Sequence, residues 1–180
     1  MALRAYLREG FNVAAIMGLG DTVAQLFIEN KRINDWDAGR TLRFSALGFI
    51  FVAPVVRRWY LFLESKVPKE LTAMQRGIRK MLTDQVLFAP PFTLAMSCLV
   101  PLINGESTEQ VKSRIQDSYF TILGRNYMLW PLAQVINFSY VPISYQVLYV
   151  QVIALFWNSY VSMMLNKKQL EHMDQKPHTP

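Results

Sequence analysis

From Asn126 to Asn166 the chain carries no charged side chain, a run about twice as long as one helix needs to cross a bilayer. Such a run must be buried or face lipid. It is not uniformly apolar, however. Asn126, Trp130, Gln134 and Asn137 recur at helical spacing and so share one face. Gln151, Asn158 and Ser162 continue the pattern further on. An amide exposed to hydrocarbon costs several kcal/mol, so these stripes must turn inward, toward other helices or water. The feature predicts membrane helices with a polar inner face.

Composition agrees. Hydrophobic residues make up 52% of the 180 and charged ones only 18%, both displaced from soluble domains toward membrane proteins. The net charge of +6 comes from 19 Lys and Arg against 13 Asp and Glu, and its placement decides what it means. Lys31, Arg32, Arg40 and Arg43 fall in one cluster; Arg57, Arg58, Lys66, Lys69, Arg76, Arg79 and Lys80 fall in another. Short basic segments flanking apolar blocks are what membrane insertion favours. No continuous basic face interleaved with aromatics is present, so no direct nucleic-acid partner is expected.

The first apolar block, Phe11 to Ile28, places Ala14, Gly18, Asp21 and Gln25 on one face. Small residues let helices approach, and the polar pair then either lines a pore or ties helices together. A polar loop follows from Lys31 to Asp37. The second block, Thr41 to Leu63, is interrupted by Pro54 and by Arg57 and Arg58, which either snorkel to an interface or face a solute at a pore mouth. Trp59 and Tyr60 beside them read as an aromatic belt. Thr72 to Gln85 reads as an amphipathic surface helix with a charged stripe of Arg76, Lys80 and Asp84. Lys80 and Asp84 are one turn apart and could pair. The third block, Val86 to Asn104, contains Pro90, Pro91 and Pro101, each of which kinks or breaks a helix. Ser107 and Gln110 form a candidate capping box for a short amphipathic helix to Leu123. Pro142 breaks the charge-free stretch, and Tyr145 to Leu165 is long enough to span.

The fold class expected is all-α: an integral membrane bundle of about four kinked transmembrane helices with amphipathic interfacial helices. One membrane domain covers 1–166, and 167–180 is a polar, disordered tail. Counting Lys and Arg at the two sides mildly favours four crossings.

Chemistry is sparse. Cys98, the only cysteine, lies in an apolar block, and both histidines, His172 and His178, lie in the tail. Gly18-Leu19-Gly20 alone is too little for a dinucleotide fingerprint. No catalytic, cofactor-binding or metal site is nominated, and no enzyme activity is expected. Met1 to Glu9 does not read as a secretory signal and matches a cleavable mitochondrial presequence only weakly, so internal targeting signals are expected.

The motifs taken together are specific. Trp130-Pro131-x-x-Gln134-x-x-Asn137-Phe138-x-x-Val141-Pro142, then Trp157-Asn158-x-Tyr160, resembles the Mpv-type family of mitochondrial inner-membrane and peroxisomal membrane proteins. Gly20-Asp21 with Gln25, Arg40 with Arg43, Pro54 with Trp59-Tyr60, and Lys80 with Asp84-Gln85 and Pro90 agree in order, so the resemblance extends to Leu165. It lies nearest the family's mitochondrial founding member. Two departures stand out: Ala53 replaces a usual glycine, and Gln146 stands where an arginine commonly follows the Val-Pro turn.

The resemblance implies four spans and a weakly selective channel in the mitochondrial inner membrane, with the peroxisomal membrane as the alternative. It also implies roles in metabolite and nucleotide balance, mitochondrial DNA maintenance and reactive-oxygen handling. A non-conducting scaffold for a larger complex is the rival reading. Candidate pore or interhelical polar residues are Asp21, Gln25, Asp84, Trp130, Gln134, Asn137 and Asn158. Arg57, Arg58, Trp59, Tyr60 and Lys80 are candidates for a mouth or interface. Expected partners are the lipid bilayer, small charged or polar metabolites, and a homo-oligomer or larger membrane complex.

Overall fold

A computed structural model describes the backbone of residues 2–174 and the side chains of residues 4–160. The side chains of Ser162 and of the tail at 167–180 therefore lie outside the described residues. The helices are α1 (Ala2–Val23), α2 (Ala38–Leu47), α3 (Ala53–Lys66), α4 (Ala73–Thr83), α5 (Ala89–Ile103), α6 (Thr108–Tyr140) and α7 (Ile143–Asp174). They form five antiparallel rods, because α2 runs into α3 and α4 into α5 without a break. The join in each case is a π-turn, Gly48–Val52 in one and Asp84–Phe88 in the other.

Those π-turns explain how the prolines are accommodated. In a regular helix the ring of Pro54 would strike the carbonyl of Ile50, and Pro90 that of Val86. A wider turn just before each proline opens that spacing. The prolines then sit in the first turn of α3 and of α5, where a missing N–H costs little. A third π-turn, Ala24–Ile28, prolongs α1. The helix starts are conventional. Asp37 accepts from the Arg40 N–H at 2.8 Å to cap α2, while Thr72 with Gln75 and Ser107 with Gln110 form capping boxes on α4 and α6.

Among the described residues, three rods are long and apolar enough to cross a membrane: Arg4–Ile28, Ala38–Lys66 and Ala73–Ile103. The shortest has 25 residues, about 37 Å of helix against a hydrocarbon core of about 30 Å. Two segments differ from the sequence reading. Thr72 to Gln85 is not a separate surface helix, because α4 continues through its π-turn into α5 and packs on α6. Ser107 to Leu123 is likewise the first half of the single rod α6. Its charges, including Lys112, Arg114 and Asp117, are exposed, while Val111 is buried.

The buried core lies between α1, α3, α6 and α7, from Val13, Val52, Val56, Tyr60, Leu63, Phe138, Val147 and Val150. The outer faces are covered with bare apolar side chains, among them Phe11, Phe27, Ile50, Val86 and Phe156. On a water-soluble protein such a surface would drive association; in hydrocarbon it is the ordinary exterior. A stack of Trp59, Phe88, Phe92 and Phe51 ties α3 to the start of α5.

Candidate functional site

Two polar clusters lie inside the bundle at opposite ends. The first joins α1, the loop after it and α2. Asp21 and Gln25 are both buried. The Asp21 Oδ2 accepts from the Gln25 amide at 2.8 Å and the Thr41 hydroxyl at 2.7 Å, and its Oδ1 lies 2.7 Å from the Arg40 Nε. Gln25 also donates to the Asp37 carbonyl at 3.1 Å and accepts from the Asp37 N–H at 2.8 Å. Arg40 reaches on to Glu29 at 2.7 Å. The Arg40 charge is thus shared between a buried and a half-buried carboxylate, and the loop is pinned by the amide of Gln25. The arrangement clamps three segments together.

The second cluster lies between α3, α4 and α6. Asp84, buried at the π-turn, accepts from the Trp59 indole N–H at 2.8 Å, and from the amides of Gln85 at 2.8 Å and Gln134 at 3.0 Å. The other hydrogen of the Gln134 amide goes to the Tyr60 hydroxyl at 2.9 Å, and its carbonyl accepts from Asn137 at 3.0 Å. Gln134 therefore uses donor and acceptor alike, and joins a residue from each of α3, α4–α5 and α6. Not everything is satisfied. Among the described residues, oxygens of Gln85 and Asn137 and the indole N–H of Trp130 are buried without a hydrogen-bond partner.

This cluster leads to water. Gln146 donates to the carbonyls of Val141 at 3.0 Å and Asn137 at 3.4 Å. It also lines a groove of about 250 Å³ with Glu64, Arg76, Lys80 and Phe138. In the groove Glu64 forms ion pairs with both Arg76 and Lys80. The Lys80 ammonium also lies 6.0 Å from the ring centre of Phe138, a cation–π contact. Close packing of α4 on α6 holds the groove's wall, because a Cβ on Gly77 would lie 3.1 Å from the Ser139 backbone nitrogen.

The structure relocates several residues singled out from the sequence. Lys80 pairs with Glu64 on the neighbouring rod and not with Asp84 on its own. Trp59 and Tyr60 do not form an outward belt: Tyr60 is buried, and both bond to the inner cluster. Arg57 turns inward to an ion pair with buried Glu9, while Arg58 is exposed. Asn126 and Gln151 are buried, but Asn158, on the same rod as Gln151, is exposed. Asp21 and Gln25 do not meet Gln134 and Asn137, so the polar stripes form two separate sites.

Glu64 and Glu9 carry no signal in the sequence, and Arg76 and Arg40, which stand out there only as members of a charged stripe and of a family motif, are not among its candidate site residues. The spacing of Arg76, Lys80 and Asp84 showed that they share a helical face. The acid that meets them comes from another rod, one turn beyond Tyr60, and no spacing rule points there. Among the described residues no group of three or more His, Cys, Asp and Glu is placed to hold a metal ion.

Known proteins resemble the chain across most of its length. A family model for the Mpv17 / PMP22 family matches residues 101–162. The mitochondrial inner membrane protein Mpv17 of Drosophila melanogaster is 62% identical over 91% of this chain and 98% of its own. The human protein of the same name is 40% identical over 82% of this chain and 83% of its own, and the Xenopus laevis one 36% over 85% of each. No solved structure matches. Identity at this level over nearly the full chain shows the family, and the relatives share one location: the chain belongs to the Mpv17 / PMP22 family and is a protein of the mitochondrial inner membrane.

Proposed function

We propose that this protein is a weakly selective channel for small charged or polar metabolites, closed in the conformation described. The observation that supports it is the polar path from the groove at Lys80 through Gln146, Asn137 and Gln134 to Asp84. Groups of this kind are costly inside a membrane and are most readily explained by a route for polar solutes. The path runs between α3, α4, α6 and the start of α7, with Asp21 outside it. The unsatisfied oxygens of Gln85 and Asn137 beside the path are places where water could bind on opening. Through such flux the protein would contribute to metabolite and nucleotide balance, and so to mitochondrial DNA maintenance and reactive-oxygen handling. The reading requires no catalytic turnover and no direct contact with nucleic acid.

The test is solute flux through purified protein in sealed liposomes, with solutes graded by size and charge. Size-limited leakage that Gln134→Leu alters, in protein that remains folded, is the expected result. Tight liposomes containing correctly inserted protein would instead favour the scaffold reading. That second reading has its own support. The charged face of α6 at Lys112 and Asp117 is exposed on a rod packed against the highly apolar α5, and a partner subunit would shield it from lipid.

A further inference from the structure

We propose that the groove beside Lys80 binds a phosphate-bearing anion, and that Glu64 is the built-in counter-ion the anion displaces. Three observations carry this. The groove opens to solvent and has a volume of about 250 Å³, ample for a phosphate group. Its charged side chains are two cations, Arg76 and Lys80, and one carboxylate, Glu64, so one positive charge remains uncompensated. The Lys80 side chain is only 3% exposed, whereas that of Glu64 is 34% exposed. A buried ammonium requires an anion beside it, and the more exposed carboxylate is the partner that can swing away.

The geometry suits phosphate in particular. Arg76 offers a planar fork that can hold two phosphate oxygens, and Lys80 adds a point charge from the groove wall. The start of α4, at Ala73, also borders the groove, so the helix contributes the positive end of its dipole. Phosphate can arrive free in solution or on a lipid headgroup, and both present the same oxygens to these cations. The proposal rests on the channel reading in one respect: that reading makes this groove the mouth, so the ligand class becomes the class of solute admitted. Binding itself can be measured without flux, so the two ideas can fail separately.

The experiment uses the full-length protein in detergent and in nanodiscs. Inorganic phosphate and pyrophosphate are titrated by calorimetry against chloride of matched ionic strength. In a parallel arm, nanodiscs with and without phosphatidic acid are compared for protein stabilisation. Arg76→Gln keeps the Lys80–Glu64 pair and should fold; it should weaken binding about tenfold or more, the loss expected for a charge-assisted contact. Glu64→Gln should tighten binding, provided it folds, because the resident competitor is gone. Free-phosphate binding that follows this pattern supports the proposal with a soluble ligand. A response confined to phosphatidic acid and lost in Arg76→Gln supports it with a lipid headgroup. Absence of both responses, or equal responses in wild type and Arg76→Gln, overturns it. Neutral-solute flux in Arg76→Gln reports separately on the channel.

Discussion

The two buried polar clusters use nearly the same side chains to different ends. At the α1–α2 end, Asp21 is held by Arg40, Thr41 and Gln25, and these bonds pin a loop against a helix. At the α3–α4–α6 end, Asp84 is held by an indole and two amides, with no ion pair among the described residues, and the chain of bonds reaches a solvent-open groove. A carboxylate locked onto a guanidinium serves stability. One held only by neutral donors at the inner end of a wet groove can exchange partners, and that is what a solute route needs. On the proposed channel reading, residue type alone does not separate lock from route; the partner does.

The largest effect should come from breaking the lock. Arg40→Met leaves Asp21 buried without its cation and should cost about 3 kcal/mol, toward the low end for a broken buried pair because Arg40 itself is partly exposed. Thermal unfolding in detergent would register it. Adding Asp21→Asn should recover much of the loss by removing the stranded charge. A double variant no more stable than the single one would show that the pair is not what stabilises this end. Flux through whatever folded protein survives should match wild type.

Gln134→Leu probes the other cluster. It removes hydrogen bonds to Asp84, Tyr60 and Asn137, each worth about 0.6 kcal/mol where other helices of a membrane bundle supply a substitute, so the total cost should be about 2 kcal/mol. The comparison becomes sharper if folded Gln134→Leu protein shows altered flux while Arg40→Met does not. If the two variants lose stability and flux in parallel, both clusters are glue and the scaffold reading gains.

Smaller effects should separate the ends by packing. Gly77→Ala would put its Cβ against the Ser139 hydroxyl at 1.9 Å, with the Ser139 Cβ and backbone nitrogen at 3.0 and 3.1 Å. Part of that obstacle is backbone, so α4 must move off α6, at a cost of about 1–3 kcal/mol. At the other end a Cβ on Gly18 crowds the Ser45 hydroxyl, at 2.4 Å, while the Thr41 methyl at 3.6 Å and the Ser45 Cβ at 3.8 Å are at ordinary contact distance. That hydroxyl can rotate away, so the change should be nearly neutral. Ser139→Ala should rescue Gly77→Ala in part, because the backbone nitrogen remains. Equal melting temperatures for Gly18→Ala and Gly77→Ala would contradict the picture of a rigid α4–α6 contact.

The sequence made the rods legible wherever charge was absent. Apolar blocks located α1, α2–α3, α5 and α7, and Val141-Pro142 marked the turn between α6 and α7. It did not reveal the continuity of α4 with α5. Pro90 and Pro91 read as a kink or a break, and the π-turn that accommodates them has no sequence signature of its own. The first half of α6 was hidden in the same way, because its exposed charges resemble an interfacial helix. In the site, helical spacing correctly grouped Gln134 with Asn137 and Asp21 with Gln25. Spacing along one helix cannot supply the rotation and register of its neighbours. Spacing alone therefore gives no sign of Glu64 as the partner of Lys80, and the one-turn separation of Lys80 and Asp84 suggests a pair that the fold does not form.

The smallest predicted effect concerns pH. Burial alone would raise the Glu29 carboxyl, but Arg40 and Lys31 outweigh it and hold it below the usual range. The Asp37 carboxyl is also held low, first by the Arg40 backbone N–H and then by the charge of Arg43. Both groups therefore bind protons less readily folded than unfolded. Their contribution to stability is complete above the ordinary carboxylate values of about 4 and disappears as the pH falls through their lower folded values. Melting temperature in detergent should decline modestly as the pH drops from about 5 to about 3. With Glu29→Gln and Asp37→Asn combined, that part of the decline should vanish, leaving a flatter profile from a lower plateau. An unchanged slope would place the acid sensitivity elsewhere and remove the loop between α1 and α2 as its source.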